Sequence, residues 1–173
     1  MEYPSDLKPT TTQAFSLPSG RAVSVPKTCP TFVPWRGAVD LDKYGNKAVL
    51  DFHGEPAFAE IAILRLLQQA GWSGVWIDTY RKRFLVGIGK EVDLPIERQT
   101  VLDSISKSGI GCFDVFAWKN RAILFAESKC ASRDRIRLTQ LRWLEAALTA
   151  GLSPDSFLVV EWSVEKEEPR LRQ

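Results

Sequence analysis

Phe113-Asp114-Val115-Phe116-Ala117-Trp118-Lys119-Asn120-Arg121-Ala122-Ile123-Leu124-Phe125-Ala126-Glu127-Ser128-Lys129-Cys130 is the stretch on which the fold turns. Two runs rich in β-branched and aromatic residues flank a polar Lys-Asn-Arg segment, the pattern of a β-hairpin. With Lys119 and Asn120 as a two-residue turn, Trp118 pairs with Arg121, Phe116 faces Ile123, Asp114 faces Phe125 and Cys112 faces Glu127. Side chains alternate faces along a strand, so Asp114, Glu127 and Lys129 project from one face, beside Phe116, Ile123 and Phe125. Asp114 and Glu127 become diagonal neighbours, roughly 7–8 Å apart at the backbone and within reach of one shared ion. Each charged residue taken singly reads as part of a salt-bridged patch. Three on one face of an otherwise apolar hairpin mark a site.

The flanking sequence extends this hairpin into a layered fold. Residues 57–70 read as a helix with Pro56 in its first turn and Gly71 as its stop. Residues 75–79 and 83–86 read as strands joined through Tyr80-Arg81-Lys82. A helix is expected over 94–107, opened near Pro95 and closed by Gly109, and another over 133–150, ending at Gly151. Residues 157–162 form a last apolar strand. Helix, strands, helix, hairpin, helix and strand in that order predict an α/β sandwich, a mixed β-sheet flanked by helices. Residues 1–55 carry Pro4, Pro9, Pro18, Pro26, Pro30 and Pro34. That spacing predicts an extended arm with short strands near 22–25 and 47–52 that wraps the core or reaches a partner subunit. Residues 56–163 form the core, and 164–173 a charged, frayed tail.

Composition narrows the chemistry. The formal net charge of +2 does not announce a nucleic-acid binder, so any such binding rests on local basic patches. Cys29, Cys112 and Cys130 are odd in number and lack zinc-ligand spacing, which argues against a disulfide scaffold. No secretory leader or membrane-length apolar run is visible, so a soluble, reducing, cytoplasmic setting without membrane contact is expected. His53 is the one histidine, which excludes mechanisms built on two or three within one chain. Taken alone, His53 reads as structural. Catalysis would then draw on carboxylates, lysine and a metal.

Two further residues join the hairpin. Glu60 has Ile63, Leu64 and Leu67 at helical spacing, so it sits on the apolar stripe, where a carboxylate is costly unless paired or metal-bound. Gln140 is placed alike, among Ile136, Trp143, Leu144 and Ala147, while Arg135, Thr139 and Arg142 mark the wet side.

Phe113-Asp114, Glu127-Ser128-Lys129, Asp134 and Gln140 within an amphipathic helix resemble the PD-(D/E)xK nuclease motif, from residue 56 to about 162. The closest likeness is to the virus-type replication-repair nuclease branch, related to Holliday-junction resolvases. That branch has an acidic residue in an early helix, matched by Glu60, and an aspartate opening the core hairpin, matched by Asp114. Glu127 and Lys129 match its acidic-x-Lys strand end, and Gln140 the glutamine in the following helix. The family's Pro-Asp is Phe113-Asp114 here, and residues 87–108 have no counterpart.

The resemblance implies a restriction-endonuclease-like αβββαβ core and a Mg²⁺- or Mn²⁺-dependent endonuclease acting on DNA, including branched, flapped or junction DNA. It implies a metal held by Asp114 and Glu127 with the Ser128 carbonyl and waters. Lys129 would position or help deprotonate the attacking water, Glu60 complete a second metal position or orient the lysine, and Gln140 act behind them or contact the substrate. A homodimer is expected by the same likeness. Arg81, Lys82, Arg83, Arg133, Arg135 and Arg137 are candidate phosphate contacts, although each alone also reads as an ordinary solvated charge. The competing readings are a catalytically inactive nucleic-acid-binding protein of the same fold, and a protein whose proline-rich arm carries a partner-binding function.

Overall fold

The alternating pattern of the central hairpin folds into two adjacent strands of a mixed sheet, with each set of side chains feeding a different layer. The computed structural model describes residues 1–38, 47–105, 111–131 and 133–165. Its strands are β1 (Thr11–Ser16), β2 (Ala22–Thr28), β3 (Thr31–Pro34), β4 (Leu50–Phe52), β5 (Glu55–Ala57), β6 (Ser73–Asp78), β7 (Arg83–Gly87), β8 (Lys90–Val92), β9 (Val115–Lys119), β10 (Ala122–Cys130) and β11 (Phe157–Val164). The helices are α1 (Ala59–Gln69), α2 (Ile96–Ile105) and α3 (Leu138–Thr149). The chain is therefore α/β with a mixed sheet, ordered β5-β4-β3-β11-β10-β9-β6-β7-β8. β1 pairs with β2, which also runs parallel to β11.

At the centre, β6 and β9 are antiparallel, β9 and β10 are antiparallel, and β10 and β11 are parallel. The parallel step needs a crossover, and α3 supplies it. Val115, Ala117, Leu124 and Ala126 point to one side, where they pack with Ile63, Leu64 and Leu67 of α1. Phe116 and Phe125 point to the other and meet Trp143 and Leu144 of α3. The Phe116 and Phe125 rings stack 4.6 Å apart, and Trp143 meets Phe125 edge-on at 4.8 Å. Losing a fully buried ring of this kind costs about 3–5 kcal/mol, so this aromatic cluster anchors α3 on the sheet.

Both α1 and α3 end as their glycines predict. The Gly71 and Trp72 amides close on the carbonyls of Gln68 and Leu67, and those of Gly151 and Leu152 on Leu148 and Ala147. This is the double closure of a Schellman motif.

Three expectations need correction. The hairpin turn is Asn120-Arg121, so Lys119 pairs with Ala122 and Phe116 with Phe125, a slide of two residues from the expected register. Asn120 takes the left-handed conformation, φ 55°, which asparagine tolerates better than most residues. A slide of two keeps every side chain on its face. Second, α3 begins at Leu138, so Arg133, Arg135 and Arg137 precede the helix. The Arg133 and Asp134 amides instead turn back onto the Cys130 carbonyl. Third, strand β8 lies in the unmatched stretch ahead of α2, whose last expected residues fall outside the described ones. The expected strand near 47–52 is realised as β4 alone, and the arm's strands β1–β3 join the sheet. Among the described residues, no helix is long and apolar enough to cross a membrane.

Candidate active site

β10 runs past the end of its partner β9, and a cleft of about 1220 Å³ opens there. One step beyond the last paired residues, Val115 and Ala126, Asp114 stands directly across from Glu127 rather than diagonally. The Asp114 backbone carbonyl accepts the Ile77 amide of β6 at 2.7 Å, while its side-chain Oδ2 accepts the Ser128 amide of β10 at 2.9 Å. Asp114 therefore bridges the two strands where the sheet splays, and Ser128 Oγ, on the opposite face, accepts the Trp162 indole at 2.9 Å.

Glu127 is fully buried. Its Oε1 accepts from Lys129 Nζ, two residues along the same strand face, and from Gln140 Nε2 of α3. Its Oε2 is buried with no hydrogen-bond partner. Gln140, itself buried, is held at both ends: its Oε1 accepts the Arg137 amide at 3.0 Å, half of a capping box at the start of α3. That bond assigns the amide, because the oxygen must face the Arg137 N–H and the nitrogen is left for the carboxylate.

Glu60 reaches the same cleft from the N-terminal turn of α1, on the far side of the sheet. It is paired with Lys47, whose ammonium lies 4.7 Å over the Trp76 ring and 5.8 Å from Phe58. A carboxylate in a helix's first turn is also favoured by the helix dipole. Lys47 escaped the sequence reading, because nothing local ties it to Glu60.

Burial raises the Asp114 carboxyl well above the ordinary aspartate value, the charges on Glu127 and Glu60 push it further, and the Ser128 amide and Lys129 oppose them only in part. Burial likewise raises Glu127 against the pull of Lys129 and Gln140. The Cys112 thiol beside them is driven up by burial, then by Glu127 and Asp114, which suits an inert apolar neighbour. Two lysines thus answer three carboxylates, and the shortfall falls on the Asp114–Glu127 pair.

Ser128, Lys129, Cys112 and Gln140 all border the cleft with the carboxylates. Of the expected phosphate contacts, Lys82, Arg83, Arg133 and Arg137 border it, whereas Arg81 and Arg135 do not. Arg81 and Arg83 both turn back onto buried Asp78, at 3.4 and 3.2 Å, so the basic triplet is not the free cationic cluster its sequence suggests. Asp78 stands three and five residues before them, a signal that was readable. Gln99, Leu102 and Asp103 of α2 also line the cleft, which gives the unmatched segment a place in its wall. His53 lies outside it, in the turn between β4 and β5, with its ring edge-on to Phe52 at 4.6 Å.

Gly111 sets the approach to Asp114. Its φ of 107° suits glycine, and an added Cβ would sit 2.4 Å from the Thr139 carbonyl oxygen at the start of α3. Only a residue without a side chain lets this loop pass the helix end.

Among the described residues, no three histidine, cysteine, aspartate or glutamate side chains converge tightly enough to hold a metal alone. Mg²⁺ does not need three: it keeps several waters and commonly takes one or two carboxylates. The partnerless Glu127 Oε2 and the under-compensated Asp114 are the donors that such an ion requires. No family model matches the chain, and no curated protein or solved structure is significantly similar to it.

Proposed function

We propose that the chain is a Mg²⁺- or Mn²⁺-dependent nuclease of the PD-(D/E)xK type, near the virus-type replication-repair branch, hydrolysing phosphodiester bonds in DNA. The observation that carries this reading is the buried Glu127, oriented by Gln140, paired with Lys129, set opposite Asp114, and still holding one oxygen without a partner. A pair of carboxylates raised by burial, Asp114 further by the charge on Glu127, is costly for stability alone and is characteristic of functional sites. The order α1, β6, β9, β10, α3, β11, with two antiparallel steps and one parallel, supports a restriction-endonuclease-like αβββαβ core, into which β7, β8 and α2 are inserted. The cleft exceeds the range of about 300–1,000 Å³ usual for small-molecule pockets, and besides Lys47 and Lys129 four further cationic side chains, Lys82, Arg83, Arg133 and Arg137, line it. A polymer carrying regular negative charge fits that arrangement.

Asp114 and Glu127 would hold the divalent ion, which supplies Lewis-acid polarisation of the scissile phosphate and offsets charge on the leaving oxygen. Lys129, fixed by its ion pair, presents its remaining donors to the cleft. There it orients the attacking water and stabilises the negative charge that grows on the phosphoryl oxygens. Gln140 keeps Glu127 from rotating, and Lys47 keeps Glu60 in place in the same cleft.

The test is cleavage of labelled single-stranded, duplex, flap and four-way-junction DNA, and of RNA of the same sequence, with Mg²⁺, Mn²⁺ or EDTA. Metal-dependent cutting of DNA by wild type that is lost in Glu127→Ala is the expected result. Binding without cutting in any metal would replace this reading with that of an inactive nucleic-acid-binding protein. Neither binding nor cutting would remove nucleic acid from the account.

A further inference from the structure

We propose that the turn between β6 and β7 carries a stacking subsite for an unpaired nucleobase, with Tyr80 as the platform and Lys82 as the adjoining phosphate contact. This deepens the nuclease reading and rests on it, because it names the part of the substrate beside the cut.

Tyr80 is 91% exposed. The other exposed large apolar residues among the described ones, Met1, Val33, Ile96 and Leu138, do not border the cleft; Tyr80 does. An aromatic ring left in water on the wall of an anion-binding cleft gains most by stacking on a flat partner, and every base offers one.

The turn that carries the ring has a fixed backbone. Asp78 is buried, and its Oδ1 accepts the Arg81 amide at 3.1 Å while Oδ2 accepts the Arg83 and Arg81 guanidiniums at 3.2 and 3.4 Å. Burial opposes ionisation of Asp78, but these donors outweigh it and its carboxyl lies below the ordinary value. One carboxylate thus ties both ends of the loop, and Lys82 sits between them in the left-handed conformation, φ 53°. Two arginines are spent on fixing the backbone, and the tyrosine and lysine at the tip are left facing the cleft. A tip meant only to hold phosphate would keep its arginines for that purpose.

The chemistry selects a substrate class. A ring on a turn tip cannot reach the face of a base stacked inside a duplex, but it reaches one in a single strand, a flap or a frayed end. Loss of one aromatic platform costs about tenfold in single-strand affinity.

The experiment measures binding of fluorescein-labelled single-stranded and blunt duplex DNA by anisotropy, with Ca²⁺ in place of Mg²⁺. Wild type, Tyr80→Ala, Tyr80→Phe and Tyr80→Trp are compared. The subsite predicts that Tyr80→Ala loses about tenfold on the single strand and little on the duplex. Tyr80→Phe keeps wild-type affinity, and the new indole of Tyr80→Trp is quenched on adding the single strand. Equal affinity of Tyr80→Ala and wild type for the single strand would overturn the subsite while leaving the nuclease reading intact. So would an equal loss on both DNAs, or a matching loss in Tyr80→Phe. A wild type that binds neither DNA would overturn the nuclease reading and this inference together, and is told apart by that alone.

Discussion

Replacing Gln140 by leucine tests whether the α3 glutamine is a working part of the centre or a passive helix residue. Leucine fills a similar volume at a position 8% exposed, so the loss is chiefly of hydrogen bonds. Two disappear: the Gln140 Nε2 donation to the Glu127 carboxylate and the Arg137 amide's bond to Gln140 Oε1. A bond to a charged group contributes about 1.5–3 kcal/mol and a neutral one about 0.5–1.5, so together the variant loses about 2–4 kcal/mol. For a chain of this length each kcal/mol moves Tm by about 2–4 °C, which places the variant well below wild type in a calorimetric scan in EDTA. Gln140→Glu separates the two bonds. It keeps an acceptor for the Arg137 amide but turns the donor into a second carboxylate against Glu127. Its new carboxyl, raised by burial and by Glu127, binds a proton more tightly folded than unfolded, so this variant gains stability as pH falls through that raised value. If Gln140→Leu melts together with wild type, or Gln140→Glu shows no such gain, the assigned network is wrong.

Other consequences follow from the same geometry. Asp114 and Glu127 are both raised, so wild type without metal should grow more stable as pH falls from their raised values toward the ordinary carboxylate range. Asp114→Asn keeps an acceptor for the Ser128 amide, removes that repulsion, and should raise Tm at neutral pH and flatten the pH dependence in urea melts. Added Mg²⁺ or Mn²⁺ should raise the Tm of wild type, by mass action on the folded state, and leave Glu127→Gln unmoved in differential scanning fluorimetry. Gly111→Ala should cost about 1–3 kcal/mol and most of the cleavage rate, because its Cβ meets the Thr139 carbonyl; unchanged melting would refute the close approach.

The hairpin was legible because its information is local and periodic. Period-two alternation placed Asp114, Glu127 and Lys129 on one face even though the turn was set one residue early, because the resulting two-residue slide of the pairing leaves facing unchanged. The stops at Gly71 and Gly151 were legible for the same reason. Other features are held from a distance. The pairing of Lys47 with Glu60 joins a loop to a helix, and the entry of β2 and β3 into the sheet beside β11 depends on non-local strand pairing. Apolar periodicity carried the last helix back to Arg133, where the chain instead turns onto Cys130 and the helix is capped by Gln140 rather than by a side chain at its first position. The basic triplet at 81–83 shows why charge runs mislead: two of the three cations are claimed by a carboxylate buried beneath them.

The central claim is that Lys129 and the Asp114–Glu127 pair perform phosphodiester hydrolysis, and single-turnover cleavage by wild type, Lys129→Met and Glu127→Gln in saturating Mg²⁺ addresses it most directly. Circular dichroism and DNA binding would establish that all three are folded and engage substrate. Each substitution should then lower the cleavage rate by a factor on the order of 10² or more, the scale of losing a group that stabilises the transition state. A variant that binds and cuts at the wild-type rate would contradict the account.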